Sequence, residues 1–174
     1  MSPRLNKTML VGTLAVLITG CAFHEEKNPT DPAAQIKLGD IYSSGTWKIS
    51  KNDETAAFWY GKAALQGDAE GEYHLGLCYE HGLGIPKNEA LAVRWFLKAA
   101  EAGNPAAQYE LGNFHRLAIG GPCNLTKAYF WYNIAAASGN TDAREFRDAV
   151  AKRMTDAEIR EAHRQSQEFW TSSR

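Results

Sequence analysis

The stretch that decides the fold is residues 75–103, LGLCYEHGLGIPKNEALAVRWFLKAAEAG, because its pattern recurs on both sides at a fixed spacing. The tryptophans at the centre of the pattern lie 36 residues apart, at Trp59, Trp95 and Trp131. The same spacing relates two further sets, which are Asn52, Asn88 and Asn124, and Gly67, Gly103 and Gly139. A repeat of this length is typical of solenoid proteins, in which each unit buries its apolar face against its neighbours.

Each unit has the signals of two helices. Asp31-Pro32 and Asn104-Pro105 are typical of an N-cap followed by proline at the first helical position, and Asp68 occupies the equivalent place in the second unit. The second helices begin at the repeated asparagines and end at the repeated glycines. We therefore predict an all-α fold, an α/α solenoid of three hairpins over residues 32–67, 68–103 and 104–139. Because Trp95 lies centrally in this array, we expect it to be buried between the second and third hairpins.

Residues 141–174 leave the repeat but keep the signals of helices. Asn140 is a cap for a helix over residues 141–153, with Phe146 and Val150 facing inward. Thr155-Asp156-Ala157-Glu158 is a capping box that opens a last helix to Trp170. We predict that these two helices cap the end of the solenoid.

The first twenty residues read as a targeting segment. Arg4 and Lys7 precede an uncharged stretch over residues 9–19, which is short for a membrane span and has the length of a signal-peptide core. It ends in Leu17-Ile18-Thr19-Gly20-Cys21, which resembles the lipobox of bacterial lipoproteins. The resemblance implies cleavage before Cys21, a lipid on Cys21, and a linker over residues 21–31. The alternative is an uncleaved membrane anchor with an incidental cysteine.

A lipoprotein of this kind is held in the periplasm, and Ala22 after the cysteine favours sorting to the outer membrane. If Cys21 carries the lipid, Cys78 and Cys123 remain. An oxidising compartment allows these two to form a disulfide between the second hairpin and the loop of the third unit. Two cysteines are too few to scaffold the fold.

One cluster of side chains departs from the repeat. His74, Cys78 and His81 fall on one side of a single predicted helix, and zinc or copper accepts such ligands. None of the three recurs in the other units, and no fourth ligand is evident. We therefore expect neither a metal site nor a cofactor.

The quoted stretch also resembles a known family. Its motif, Leu75-Gly76-x-x-Tyr79-x-x-Gly82-x-Gly84-Ile85 followed by Asn88-x-x-x-Ala92-x-x-Trp95-Phe96-x-Lys98-Ala99-Ala100-x-x-Gly103, is similar to the Sel1-like repeat, a relative of the tetratricopeptide repeat. The resemblance covers residues 32 to about 140 and implies an α/α solenoid. In the first unit Trp47 and Lys48 replace the second glycine and the aliphatic residue after it, and in the third Ala118 replaces the first glycine. We expect those two loops to differ in geometry.

Composition and motifs argue for binding rather than catalysis. The 19 lysines and arginines are balanced by 20 acidic residues, which leaves no excess of positive charge for a nucleic acid. The sequence contains no nucleophile elbow, no H-E-x-x-H motif and no phosphate-binding glycine loop. We therefore do not expect an enzyme.

The first helices of such hairpins line the concave face of the solenoid. Positions two and five residues from the packed Leu38, Leu75 and Leu111 should point away from the core. The predicted partner-binding residues at these positions are Asp40, Glu70, Tyr73, Leu77, Glu80, Tyr109, Asn113 and Arg116. They combine an aromatic centre with a polar rim, which is how protein-binding surfaces are composed. The alternative is an ordinary solvated groove.

The family resemblance implies two versions of a lipid-anchored binding protein. One is an adaptor in envelope assembly or signalling, and the other is an immunity protein that neutralises a periplasmic toxin such as a type VI secretion phospholipase effector. The alternative is a hydrolase of cell-wall fragments or β-lactams, related to cysteine-rich Sel1-repeat proteins. Those proteins carry a cysteine pair in every repeat, and this chain has no such series.

Overall fold

The computed structural model describes residues 29–172, which form eight helices. The targeting segment, Cys21 and most of the linker lie outside the described residues, as do residues 173 and 174. The helices are α1 (Pro32–Ser44), α2 (Asp53–Ala64), α3 (Ala69–His81), α4 (Glu89–Glu101), α5 (Pro105–Leu117), α6 (Leu125–Ala137), α7 (Thr141–Ala151) and α8 (Asp156–Ser172).

The helices begin where the sequence predicts. Each of α1 to α7 has an aspartate or asparagine N-cap whose side chain accepts a backbone N–H of the first turn, at Asp31, Asn52, Asp68, Asn88, Asn104, Asn124 and Asn140. At the start of α8 the backbone N–H of Thr155 donates to Glu158 at 2.8 Å, and the Thr155 hydroxyl accepts the N–H of Glu158 at 3.3 Å. The predicted capping box is confirmed, and the side chains satisfy donors that a helix start leaves unpaired.

The helices pack as three hairpins in a row. The hairpins are α1 with α2, α3 with α4, and α5 with α6, and each leans on the next through the contacts of α2 with α3 and of α4 with α5. Both α7 and α8 pack against α6 and close the array. The prediction of an all-α solenoid is confirmed. We call the surface formed by α1, α3 and α5 the first-helix face.

The repeated Leu-Gly pairs are explained by an aromatic ring that lies directly on the first helix. A Cβ atom added to Gly76 would stand 2.6 Å from the ring of Phe96, and one on Gly112 would stand 2.5 Å from the ring of Tyr132. Gly39 faces Tyr60 in the same way. Glycine is required here because any side chain would push the two helices of the hairpin apart.

Trp95 is not the residue buried between the second and third hairpins. It is half-buried, packs against the cluster of Ala56 and Leu75 from the first two hairpins, and has the Lys98 ammonium 4.2 Å from its ring centre. Phe96 takes the expected place, with 0% exposure, in the cluster that joins α4, α5 and α6. One residue rotates a helix position by about 100°, so adjacent aromatic residues face different neighbours. The expectation for Trp95 was therefore wrong.

Two loops depart from the family motif in sequence, and only one of them differs in geometry from the loop of the second unit. After α3 the chain turns at Gly82 with φ 72° and ψ 36°, and Ala118 after α5 adopts nearly the same angles, φ 60° and ψ 32°. Gly45 after α1 has φ 70° and ψ 170°, and this loop presents Trp47 with 87% of its surface exposed. The expectation is confirmed for the first unit and wrong for the third, where alanine accepts a left-handed conformation.

A buried polar side chain recurs in the first helices. Gln108 donates to the Ala100 carbonyl at 3.1 Å and accepts from the Ser138 hydroxyl at 3.0 Å. Gln35 is bonded in the same way, to the Pro29 carbonyl and to Gln66. The second unit has Glu72 at this position, 5% exposed, and Ala102 at the position equivalent to Ser138. Burial raises the pKa of the Glu72 carboxyl, against the attraction of Lys98.

We expect Glu72→Gln to raise the free energy of unfolding by about 1 kcal/mol at pH 7, because an amide donates a hydrogen bond where a carboxylate only accepts. The pKa of Glu72 is higher in the folded than in the unfolded chain, so wild-type stability falls as the pH rises from the ordinary carboxyl pKa to the raised one. The advantage of the variant should therefore shrink as the pH is lowered through that window. Urea unfolding between pH 4 and 8 measures it, with exposed Glu145→Gln as the matched control. An equal response of both variants would contradict the role of Glu72.

Candidate protein-binding surface

The eight predicted partner-binding residues lie along the first-helix face, but most are less exposed than expected. Asp40 and Glu70 are exposed, and the other six are half-buried. The six that are half-buried are partly covered by neighbouring helices, and the role of all eight residues in binding stays a prediction. An internal first helix is packed on two sides, by the second helix of the preceding hairpin and by its own, and this leaves only a narrow exposed strip.

The apolar members of the set rest on the core. Tyr73 and Leu77 pack against the cluster that contains Phe96. Tyr109 packs against the next cluster, with its ring centre 5.8 Å from that of Tyr132. Each ring thus has one side in the protein and the remaining part available at the surface. Half-buried aromatic rings are rigid, so they bind a partner with little loss of side-chain entropy.

In the first and third units the polar members are engaged inside the protein. The hydroxyl of Tyr60 donates to Asp40 at 2.9 Å and lies 3.3 Å from the hydroxyl of Ser43. The hydroxyl of Tyr132 donates to Asn113 at 2.8 Å and accepts from Arg116 Nε at 3.0 Å. In these two units, the residues two and five positions after the packed leucine therefore form hydrogen bonds with the hydroxyl of a tyrosine on the second helix.

The second unit has the same positions but lacks this arrangement. Phe96 replaces the tyrosine, Leu77 takes the position of Asp40 and Asn113, and Glu80 takes the position of Ser43 and Arg116. The Oε2 atom of Glu80 is buried without a hydrogen-bond partner among the described residues. Burial raises the pKa of the Glu80 carboxyl, Glu110 raises it further, and His81 and Lys87 oppose the shift.

Three carboxylates, those of Glu70, Glu80 and Glu110, act on Tyr73. Burial, and then the charges of Glu110, Glu70 and Glu80, raise the pKa of Tyr73 to about 12. Glu70 pairs with His74 at 3.3 Å, and Glu110 accepts from Asn113 at 3.0 Å. Sequence reasoning missed Glu110 because it directly precedes the packed leucine. The change from tyrosine to Phe96 in the repeat was the signal that the second unit differs.

Cys78 and Cys123 are both free, so the predicted disulfide is not formed. Cys78 is buried against Ala56, Ala57 and Tyr60, on the side of α3 that faces the first hairpin. Cys123 is exposed in the loop before α6, where its thiol donates to the Arg116 carbonyl at 3.5 Å. The two thiols point to different parts of the solenoid, and burial raises the pKa of Cys78 to about 11.

The three side chains considered as metal ligands have separate surroundings. The ring of His74 stacks on Tyr60 with centres 4.5 Å apart, Cys78 faces the core, and His81 is exposed beside Glu80. Within residues 29–172 no three His, Cys, Asp or Glu side chains are grouped so that they could hold a metal ion. Over the same residues, no helix has both the length and the apolar character needed to cross a membrane.

Comparison with known proteins identifies one family and several similar solved structures. The family model described as Sel1 repeat matches residues 32–68, 69–104 and 105–140. The crystal structure of a Sel1 repeat protein from Oxalobacter formigenes is 42% identical with a TM-score of 0.62, and the match covers 66% of this chain and 45% of that one. No curated protein matches the sequence.

The second structure is c5321, a protective antigen present in uropathogenic Escherichia coli strains that displays an SLR fold. It is 26% identical with a TM-score of 0.56, and the match covers 79% of this chain and 37% of that one. The chain thus spans less than half the length of either structure.

Proposed function

Because the chain belongs to the Sel1 repeat family, whose helical solenoids typically serve protein–protein interaction, we propose that it binds a partner protein through its first-helix face. The observation that carries the proposal is the surface around Tyr73, Leu77 and Tyr109, which are rigid and half-buried, next to Glu80, whose Oε2 atom is buried without a hydrogen-bond partner among the described residues. Binding hot spots are enriched in such aromatic anchors, surrounded by contacts that exclude water.

Site-specific photo-crosslinking in cells tests this proposal. Benzoylphenylalanine placed at exposed Asp40 or Glu70 should yield a discrete crosslinked protein, because both positions border the proposed surface. The matched control positions are Phe58 and Arg94, which are exposed on α2 and α4. Crosslinks of equal yield at the control positions, or at those positions alone, would move the binding surface away from the first-helix face.

The proposal includes a place in the cell. We propose that the protein is a lipoprotein of the periplasm, anchored by Cys21, with the outer membrane as the expected site. The support is the signal-like segment over residues 1–20 and the lipobox-like residues that end at Cys21. A linker over residues 21–31 would leave the solenoid free to bind in the periplasm.

We expect Cys21→Ser to abolish incorporation of radioactive palmitate and to leave the precursor unprocessed, because only a cysteine thiol takes the lipid in this pathway. Labelled cells are fractionated, and the protein is examined by gel electrophoresis and autoradiography. Cys123→Ser removes an exposed thiol of the folded domain and serves as the control, which should keep its label. Undiminished label in Cys21→Ser would reject the anchor and leave partner binding open.

The identity of the partner distinguishes the two proposed roles, which are immunity protein and adaptor. An immunity protein would protect cells in which a phospholipase toxin is directed to the periplasm, whereas an adaptor for envelope assembly would not. A toxin gene beside the gene for this chain would favour immunity, and envelope genes would favour an adaptor. We do not extend the proposal to a hydrolase, because Cys78 and Cys123 are single and free rather than paired in each repeat.

A further inference from the structure

The second unit of the first-helix face holds a carboxylate that has lost its internal partner. In the units on both sides, the equivalent residues Ser43 and Arg116 contact a tyrosine hydroxyl of the second helix. Phe96 provides no hydroxyl to Glu80, and Oε2 of Glu80 remains buried without a hydrogen bond. A buried polar atom in this state lowers stability unless a ligand or a partner satisfies it.

The charges around Glu80 determine whether a positively or a negatively charged ligand would bind there. Glu110 acts on both Glu80 and Tyr73, and Glu89 also acts on Glu80. The imidazole Nε2 of His81 is 3.8 Å from Glu80 Oε2, beyond hydrogen-bond distance. Lys87 also acts on Glu80 but is paired with Glu89 at 3.0 Å. Arg116 is held by Tyr132 and Asn113. The local field is therefore negative and complementary to a cation.

We infer that the second unit receives a lysine or arginine side chain of the partner protein, which donates to Glu80 and lies against the ring of Tyr73. The carboxylate and the cation form a charge-assisted hydrogen bond, and the face of the aromatic ring attracts the positive charge. Leu77 and Tyr109 provide apolar surface for the residues on either side of that cation. This inference rests on the first-helix face being the binding surface, as proposed above.

A peptide library displayed on phage tests the chemistry of the occupant. Random peptides are selected on the immobilised full chain, and the selected sequences are synthesised with a fluorescent label. We expect the selected peptides to be enriched in a lysine or arginine flanked by apolar residues. We expect Glu80→Gln to weaken their binding at least tenfold, because an amide accepts a hydrogen bond but carries no charge to pair with a cation.

Two controls separate binding from folding. Exposed Glu54→Gln on α2 removes the same charge from a different surface, and it should change affinity less than twofold. Glu80→Gln itself should unfold at the same or a higher urea concentration than wild type, since a neutral amide costs less to bury than a carboxylate whose Oε2 atom has no hydrogen bond. A variant that is as stable as wild type and binds less well has lost a contact with the ligand.

A double-mutant cycle identifies the pair. Replacing the basic residue of the peptide by methionine should weaken binding at least tenfold to the wild-type chain and less than threefold to Glu80→Gln. Two results would overturn this inference and leave the proposed function standing. In both, the selected peptides crosslink to benzoylphenylalanine at position 70, but they either show no enrichment in lysine or arginine or bind Glu80→Gln as tightly as wild type. Peptides that crosslink only at Phe58 or Arg94, or a selection without binders, would count against both.

Discussion

Phe96→Ala is expected to lower the free energy of unfolding by about 3–5 kcal/mol, the largest loss we expect from a single side-chain truncation in this chain. The ring has 0% exposure and lies on the backbone of Gly76, 5.7 Å from the ring of Phe114 and 6.0 Å from that of Tyr73. Its removal opens a cavity in the cluster that joins the second and third hairpins. Because a solenoid is stabilised by contacts between neighbouring units, both hairpins should lose stability together.

Trp95→Ala is the matched comparison, since it removes a larger ring from the adjacent position. Trp95 is half-buried, so less apolar surface returns to water and a smaller cavity forms. We expect its cost to be less than half that of Phe96→Ala. Urea unfolding followed by circular dichroism measures both. If Trp95→Ala proved the more costly of the two, the rotation of α4 described here would be wrong.

Gly84→Ala is expected to cost about 2–4 kcal/mol, which is large for the addition of one methyl group. Gly84 has φ 71°, a conformation that strains alanine by about 1 kcal/mol. Its added Cβ would also overlap the backbone of Asp53 and Glu54 at the start of α2. That backbone belongs to the preceding hairpin, so the overlap is relieved only if the two hairpins separate, at about 1–3 kcal/mol.

Gly120→Ala is the control for the conformational part of this effect. Gly120 occupies the same place in the third unit with φ 70°, and the nearest atom to an added Cβ is Cγ2 of Val93 at 3.9 Å. We expect this variant to lose only about 1 kcal/mol, from backbone strain alone. The difference in thermal midpoint between the two variants then measures the contact between hairpins. Equal losses would show that the loop of the second unit does not rest on α2.

The structure also changes how the binding surface should be tested. Truncating both Tyr73 and Tyr109 would be a natural test if the tyrosines projected freely from the first helices. Both instead pack against core clusters, so alanine at either position should lower stability as well as affinity. Glu80→Gln keeps the shape of the side chain and removes the charge, which makes loss of binding interpretable without loss of folding.

The sequence by itself determined the architecture. The 36-residue spacing, the caps from Asp31 to Asn140 and the Leu-Gly pairs predict three hairpins and their limits, and the observed helices begin at those caps. These are local signals, since an N-cap acts within one turn of its own helix. Repetition at a fixed period adds a second constraint, because equivalent residues must occupy equivalent places in each unit.

Only the tertiary structure decided which neighbours each side chain contacts. The rotation of α4 buries Phe96 rather than Trp95, the side of α3 that carries Cys78 turns away from Cys123, and Oε2 of Glu80 is buried without a hydrogen bond from any described residue. Each of these outcomes depends on helices that are distant in the chain and on rotations of about 100° per residue, which a repeat spacing does not specify. The period places a residue within its unit, and the neighbouring units decide whether its atoms are buried, bonded or free to bind.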